Sequence, residues 1–143
     1  METWPMAEAR RQLPALLDKV RNGHWQLIGR RGRPEAVVAN AAQLAELLAA
    51  SYPFAPEVFI EEDEVGIYLA ELDVHGVGAD LQEAEDDALA AALEYVDDWI
   101  DHLHAAPDRH AQAGHVRRLE LAGGVEGARR ALFGEPAAEA PNR

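Results

Sequence analysis

Apolar positions recur at helical spacing near the start of the chain. They follow the i, i+3, i+4, i+7 order of one buried helix face, at Leu13, Leu16, Leu17 and Val20. This spacing predicts a helix over residues 7–22, closed by Gly23 in a left-handed conformation. Pro14 lies inside the stretch. Because proline lacks an N–H and clashes with the preceding turn, we expect a kink near residues 10–12.

After this helix, residues 25–39 change from helical to strand-like patterning. Two strand-like runs, 25–30 and 33–39, flank Arg31-Gly32, and this pattern predicts a tight hairpin in which glycine supplies a positive φ. Asn40, three residues before Gln43, indicates the N-cap of a further helix.

A proline-rich segment at residues 51–56 then marks a domain boundary. After it come three strand-like runs, at residues 57–61, 65–71 and 73–76. Asp80 can cap a long amphipathic helix that begins at Leu81 and keeps its apolar spacing for about twenty-five residues. The pattern predicts a β-β-β-α module.

Beyond Pro107 the chain is rich in Ala, Gly and Arg. Residues 125–133 can form a short helix, which is marginal alone in water and needs a surface on which to dock. We expect the last ten residues to be disordered.

Composition favours a globular protein. The chain has 143 residues, of which 48% are hydrophobic, and it has no cysteine, which excludes disulfides, thiolate metal sites and cysteine nucleophiles. No apolar run reaches the length of a membrane span, and no secretory signal pattern opens the chain. We expect a cytoplasmic protein that does not bind membranes.

The net charge of −13 is unevenly distributed. Residues 1–50 carry seven Lys or Arg and five Asp or Glu, whereas residues 51–106 carry sixteen Asp or Glu and no Lys or Arg. Residues 107–143 carry six Arg and five acids. A mildly basic first part and a purely acidic middle indicate a division of function.

The order helix, Gly, strand, Arg-Gly-Arg-Pro turn, strand, helix in residues 1–50 resembles the Phd/YefM family of antitoxin repressors. The resemblance implies a homodimer that binds operator DNA through the first helix and the hairpin. Exposed arginines at these places suit a phosphate backbone, although solvated surface charge is the alternative. The candidate DNA contacts are Arg10, Arg11, Arg30, Arg31 and Arg33.

The second half resembles a different antitoxin type. Ile67-Tyr68-Leu69-Ala70-Glu71-Leu72-Asp73, followed by Gly76-Val77-Gly78-Ala79-Asp80-Leu81-Gln82-Glu83-Ala84, is similar to HicB-type modules. These have a shortened RNase H-like topology and are not catalytic. The fold expected for the whole chain is therefore α+β. It comprises a Phd/YefM-like dimerisation and DNA-binding unit (1–50), an acidic HicB-like module (54–106) and a partly disordered tail (107–143).

Together the two resemblances imply a type II antitoxin that neutralises a small RNase toxin, RelE-like or HicA-like, and represses its own operon. Either the acidic helix face or the tail could bind the toxin. For the tail, folding on contact is expected, through Val116, Leu119, Leu121, Val125, Leu132 and Phe133. The alternative function is a free-standing transcriptional regulator with an acidic sensing module.

Catalysis is not expected. A carboxylate-metal nuclease is the enzymatic alternative, and only Glu71 and Asp73 are placed at a strand end where they could serve it. The histidines lack ligand spacing: His102 and His104, two apart on a helix, face different ways. We expect no metal and no cofactor.

Overall fold

The first part of the chain folds into a small sheet with helices. The computed structural model describes residues 2–135, and the chain divides into two compact units after Leu47. The first unit and the helix that ends it consist of β1 (Thr3–Pro5), α1 (Met6–Arg11), α2 (Leu13–Arg21), β2 (Gln26–Arg30), β3 (Arg33–Val38) and α3 (Ala41–Ser51). The division falls inside α3, before the proline-rich segment at which the sequence predicts the boundary.

The helix predicted over residues 7–22 is two helices. Gln12, at φ −109° and ψ 28°, separates α1 from α2, and Pro14 occupies the first turn of α2. A proline in the first turn loses no helical hydrogen bond, so a break at Gln12 accommodates Pro14 better than a kink. The predicted end of the helix is confirmed: Gly23 has φ 92°, and the N–H of His24 donates to the carbonyl of Lys19 at 2.9 Å.

The sheet of this unit has the order β1-β2-β3. Strand β1 runs parallel to β2, which pairs with β3 in the predicted antiparallel hairpin. Its core is minimal: the buried hydrophobic residues are Ala9, Leu16 and Val20, with Trp4, Ile28 and Val38 packed against them. The predicted helix face is therefore only half buried, because Leu13 and Leu17 stay 45% and 46% exposed.

The second unit consists of a sheet and a set of helices. In chain order these are β4 (Glu57–Glu61), β5 (Glu64–Leu69), β6 (Val74–Gly78), α4 (Leu81–Asp98), a π-helical turn (Trp99–Leu103), a 3-10 helix (Pro107–Gln112), α5 (Ala113–Glu120) and α6 (Gly124–Phe133). The strands form an antiparallel meander in the order β4-β5-β6, and α4 packs on β6 and β5. This is the predicted β-β-β-α order, and the α+β class is confirmed.

Two glycines allow α4 to approach the sheet. A Cβ on Gly76 would lie 2.2 Å from the backbone nitrogen of Ala88, and one on Gly78 would lie 2.5 Å from that of Ala84. The helix begins where the sequence predicts, because the Asp80 carboxylate accepts a hydrogen bond from the Glu83 N–H at 2.8 Å. Small residues thus bring the two backbones together.

The tail differs from the expected flexible segment. Helices α5 and α6 contact α4 and each other, and they complete a single core of buried residues. Two positive-φ glycines, Gly123 and Gly124, form the turn between them. The helices are ordered because α4 offers the apolar surface that short helices need. Of the last ten residues, for which the sequence predicts disorder, 136–143 lie outside the described residues.

The close contact between α4 and β6 generates a stability prediction. Gly76→Ala places a methyl group against helix backbone that cannot move aside, so we expect the free energy of unfolding to fall by about 1–3 kcal/mol. The neighbouring substitution Val77→Ala, at an exposed side chain, is the control and should change it by less than about 0.5 kcal/mol. Chemical denaturation measures both, and an equal effect of the two variants would contradict the packing.

Candidate functional site

The hairpin arginines lie at the tip of the first unit. Arg31 and Gly32 both have positive φ, 53° and 73°, as in a two-residue type I′ turn. Ile28 pairs with Ala36 and Gly29 with Pro34, so that Glu35 is an extra, bulged residue. The Glu35 carboxylate accepts a hydrogen bond from the Arg30 Nε at 3.1 Å.

The two helix arginines lie at the end of α1. The Arg11 guanidinium pairs with Glu8 at 2.6 Å, one turn back on the same helix. Arg10 is exposed. Because the helix breaks immediately after them, both arginines belong to the last turn of α1, and Pro14 fixes where that turn ends.

These five arginines form two groups. Arg10 and Arg11 line one surface depression with Met6 and Ala7, and the hairpin arginines line another with Glu35. Within residues 2–135, three of the five form no ion pair: Arg10, Arg31 and Arg33. The guanidinium groups of these three have no carboxylate to neutralise them, so they can bind an external anion.

Several carboxylates of the second unit bind backbone or side-chain donors. Asp87 accepts from the Val77 N–H at 2.9 Å, and Glu71 from the Ala55 N–H at 3.3 Å. Asp73 accepts from the Tyr68 hydroxyl at 2.8 Å, and this hydrogen bond raises the pKa of Tyr68 above its ordinary value. The two carboxylates that could serve a metal site therefore have structural contacts: Glu71 binds the segment before β4, and Asp73 binds the Tyr68 side chain of β5.

No metal cluster accompanies them. In the part of the chain that the structure describes, no three His, Cys, Asp or Glu side chains come close enough to share a metal ion.

The tail residues considered for toxin binding fall into two groups. Val116, Leu119 and Leu132 are buried in the core, so a partner reaches them only if α5 and α6 leave α4. Leu121 and Val125 are exposed, and Phe133 is half-buried. The structure therefore does not bring the six residues to one surface.

The tail also fastens the segment that precedes β4, which the sequence pattern did not indicate. The Arg118 Nη1 donates to the carbonyl of Tyr52 at 2.9 Å, and its guanidinium lies over the Phe54 ring at 5.4 Å. The His115 ring nitrogen lies 3.1 Å from the carbonyl of Pro53. The sequence feature that could have indicated this contact is the pair of aromatic residues, Tyr52 and Phe54, on either side of Pro53.

Comparisons with known proteins identify the class of the molecule. Residues 1–132 match the PHD-like family, described as antitoxin of toxin-antitoxin, RelE/RelB, TA system. A crystal structure of the antitoxin part of a candidate toxin/antitoxin system from Syntrophomonas wolfei subsp. wolfei has the same fold. Its TM-score is 0.77 at 17% sequence identity, over 94% of this chain and 99% of that one. No curated protein sequence matches.

The chain belongs to this family of antitoxins of toxin-antitoxin systems. The antitoxin class expected from the sequence is thereby confirmed, and membership implies a cognate toxin as partner. Among the described helices, none combines the length and the apolar character that crossing a membrane requires.

The packing of α6 generates the second prediction. Leu132→Ala removes a fully buried side chain, so we expect the free energy of unfolding to fall by about 2–5 kcal/mol. Val125→Ala, on the same helix at a side chain that is 55% exposed, is the matched control and should be nearly neutral. Thermal unfolding followed by circular dichroism compares them. Equal melting temperatures would show that α6 is not part of the core in solution.

Proposed function

We propose that this antitoxin represses its own operon with the first unit and neutralises a small RNase toxin with the second. The observation that carries the proposal is the division of charge: every Lys or Arg before residue 107 lies in the first fifty residues. Phosphate is attracted there and is repelled by the sixteen acids of residues 51–106, whereas residues 107–143, with six Arg and five acids, are nearly neutral. Both activities are binding events without bond chemistry, and we place the protein in the cytoplasm.

The arginines support DNA binding by the first unit. Arg31 lies in the two-residue turn and Arg33 directly follows it, and neither is neutralised by a carboxylate within residues 2–135. Such side chains provide salt-dependent contacts to phosphates, and one or two could read guanine edges. Arg30 and Arg11 must first leave Glu35 and Glu8.

Dimerisation of the first unit follows from its small core. Units of this size rarely fold on so few buried residues without an additional partner. The unit exposes large apolar side chains, which a second copy could cover: Met6, Leu13, Leu17, Val37 and Leu47. A homodimer would also present two sets of arginines to a twofold-symmetric operator.

The second unit supports toxin neutralisation by its charge. An RNase toxin of the RelE or HicA kind binds RNA, so its functional surface is basic, and an acidic module complements such a surface. The exposed carboxylates of α4 and of the β4–β5 turn are available for this purpose. The acidic module is favoured over the tail, because half of the tail residues considered are buried.

The third prediction concerns DNA. The double substitution Arg31→Ala with Arg33→Ala should weaken binding to the promoter fragment upstream of the gene by about tenfold or more. The proposed homodimer loses four arginines, so the dependence of log K on log salt should flatten by about four, because each phosphate contact contributes about one. Gel shifts at several salt concentrations measure both quantities.

The control is the double substitution Arg21→Ala with Arg130→Ala. It removes the same number of positive charges as the hairpin variant, but at positions outside the hairpin. Arg21 ends α2 and Arg130 lies in the second unit. If the control weakened binding as much as the hairpin variant, the effect would be one of total charge and the hairpin would not be the contact.

The fourth prediction concerns the toxin. Coexpression with the product of the adjacent reading frame should give a stable complex in size-exclusion chromatography and should restore growth that this product alone inhibits. The complex should weaken as salt rises, because part of the proposed contact is electrostatic. Growth inhibition that persists with this chain present would refute neutralisation, and the operator assay would still test the first unit separately.

A further inference from the structure

Strand β4 is an exposed edge. All five of its residues are exposed, and its apolar side chains are among the most exposed in the described chain, with Ile60 at 74% and Val58 at 56%. Within residues 2–135 it pairs only with β5. A free strand edge with apolar side chains is a template for another strand.

The opposite edge of the same sheet is partly covered by hydrogen bonds from its amides to α4. On β6 the Val77 N–H donates to the Asp87 carboxylate at 2.9 Å. The Ala79 N–H, just beyond the strand, donates to Glu83 at the same distance. Both carboxylates belong to α4, so the helix that covers the sheet also satisfies two amides at this edge. Among the described residues, none covers strand β4 in this way.

The register shows which backbone groups of β4 are free. Glu61 pairs with Glu64 across a two-residue turn, which makes this pair a hydrogen-bonded one. Bonded and non-bonded pairs alternate along an antiparallel ladder, so the N–H and C=O groups of Ile60 and Val58 point to the free edge. The same alternation directs the Val77 N–H outward on β6, where its bond to Asp87 is observed.

The exposed side chains of the edge lie beside α4. Val58 pairs with Ile67 and Ile60 with Val65, so both project from the face of the sheet that α4 covers. Because α4 packs on β6 and β5, it leaves these two side chains as an apolar ledge. An incoming strand could bond to the backbone of β4 and pack its own apolar side chains on this ledge.

Charge decides what can occupy the edge. If β4 of a second copy paired antiparallel over its full length, Phe59 would face Phe59, and Glu57 would face Glu61 twice. Like charges directly opposite each other destabilise a strand pair. The turn adds Glu62 and Asp63, and β5 begins with Glu64. The same carboxylates attract a strand that carries lysine or arginine.

We propose that the free edge of β4 binds an extended strand of the basic toxin, extending the sheet of the second unit across the two proteins. The inference rests on the proposed function, since it assigns the surface through which the antitoxin holds its toxin. Main-chain hydrogen bonds would provide affinity, and the glutamates would select a basic partner over a second copy.

The test uses substitutions that leave the free sheet intact. Ile60→Pro removes an outward N–H that no neighbouring strand uses, and Ile60→Lys places a cation where a basic strand must dock. Both should weaken binding of the full chain to the product of the adjacent reading frame by at least tenfold in calorimetry. Val77→Lys makes the same change on the opposite face of the sheet, and its affinity should stay within twofold of the unsubstituted chain.

Amide hydrogen exchange separates strand pairing from a contact of side chains alone. In the complex the amides of Val58 and Ile60 should become protected, whereas that of Phe59, already bonded to β5, should change little. Unchanged melting temperatures of the variants show that the second unit stays folded.

Three results would overturn the inference. If the unsubstituted chain binds its neighbour and both Ile60 variants bind equally well, the edge is not the contact, and the proposed function stands without it. If Ile60→Pro instead dissociates a homodimer, the occupant is a second copy. If the unsubstituted chain does not bind the neighbour at all, toxin neutralisation and the edge contact fail together.

Discussion

The second unit depends on the close approach of α4 to β6. Because Gly76 and Gly78 have no Cβ, the helix backbone lies directly on the strand, and Ala84 and Ala88 fit into the same contact. This approach buries Ile67 and Leu69 on the adjacent strand and fixes the distance between α4 and the sheet. Helices α5 and α6 pack on α4 in turn, so one contact between small residues orders both the sheet and the tail.

A second constraint is the separation of basic and acidic residues along the chain, because it limits which unit can bind a phosphate backbone. An uninterrupted acidic stretch repels DNA, so the proposed DNA binding is assigned to the first unit, where Arg31 and Arg33 stand at the hairpin tip without a carboxylate partner in the described chain. The acidic unit is also not simply a solvated surface. Asp87, Glu83 and Glu71 hold backbone amides, while the carboxylates of β4 and its turn remain free for a partner.

Local features were predictable from the sequence, and long-range packing was not. The cap at Asp80 and the left-handed Gly23 depend on a few neighbouring residues, and the structure has them where the pattern places them. The break at Gln12 also has a local cause, Pro14, but a kink and a break are equally compatible with the pattern. The burial of Leu132 and the exposure of Leu17 depend on how much apolar surface other elements supply, which periodicity does not show. The same limit applies to the candidate contacts. The hairpin arginines are exposed because a turn is exposed, whereas the prediction for the tail residues depended on composition and on the resemblance to Phd-like antitoxins, and neither shows which side chains α4 buries.

Acidic residues have different roles at the two edges of the second sheet: they occupy backbone amides at β6 and leave them open at β4. At β6 the carboxylates of Asp87 and Glu83 bind the amides of Val77 and Ala79, and an edge with occupied donors is a poorer template for another strand. At β4 Glu57 and Glu61 leave the donors open, yet they place like charges opposite each other whenever two copies approach. If this edge binds the toxin as we propose, the antitoxin must remain apart from its own copies at this surface and still bind a basic partner. Lysine on the edge would prevent self-pairing equally well, but it would repel the toxin also, so only acidic residues satisfy both requirements.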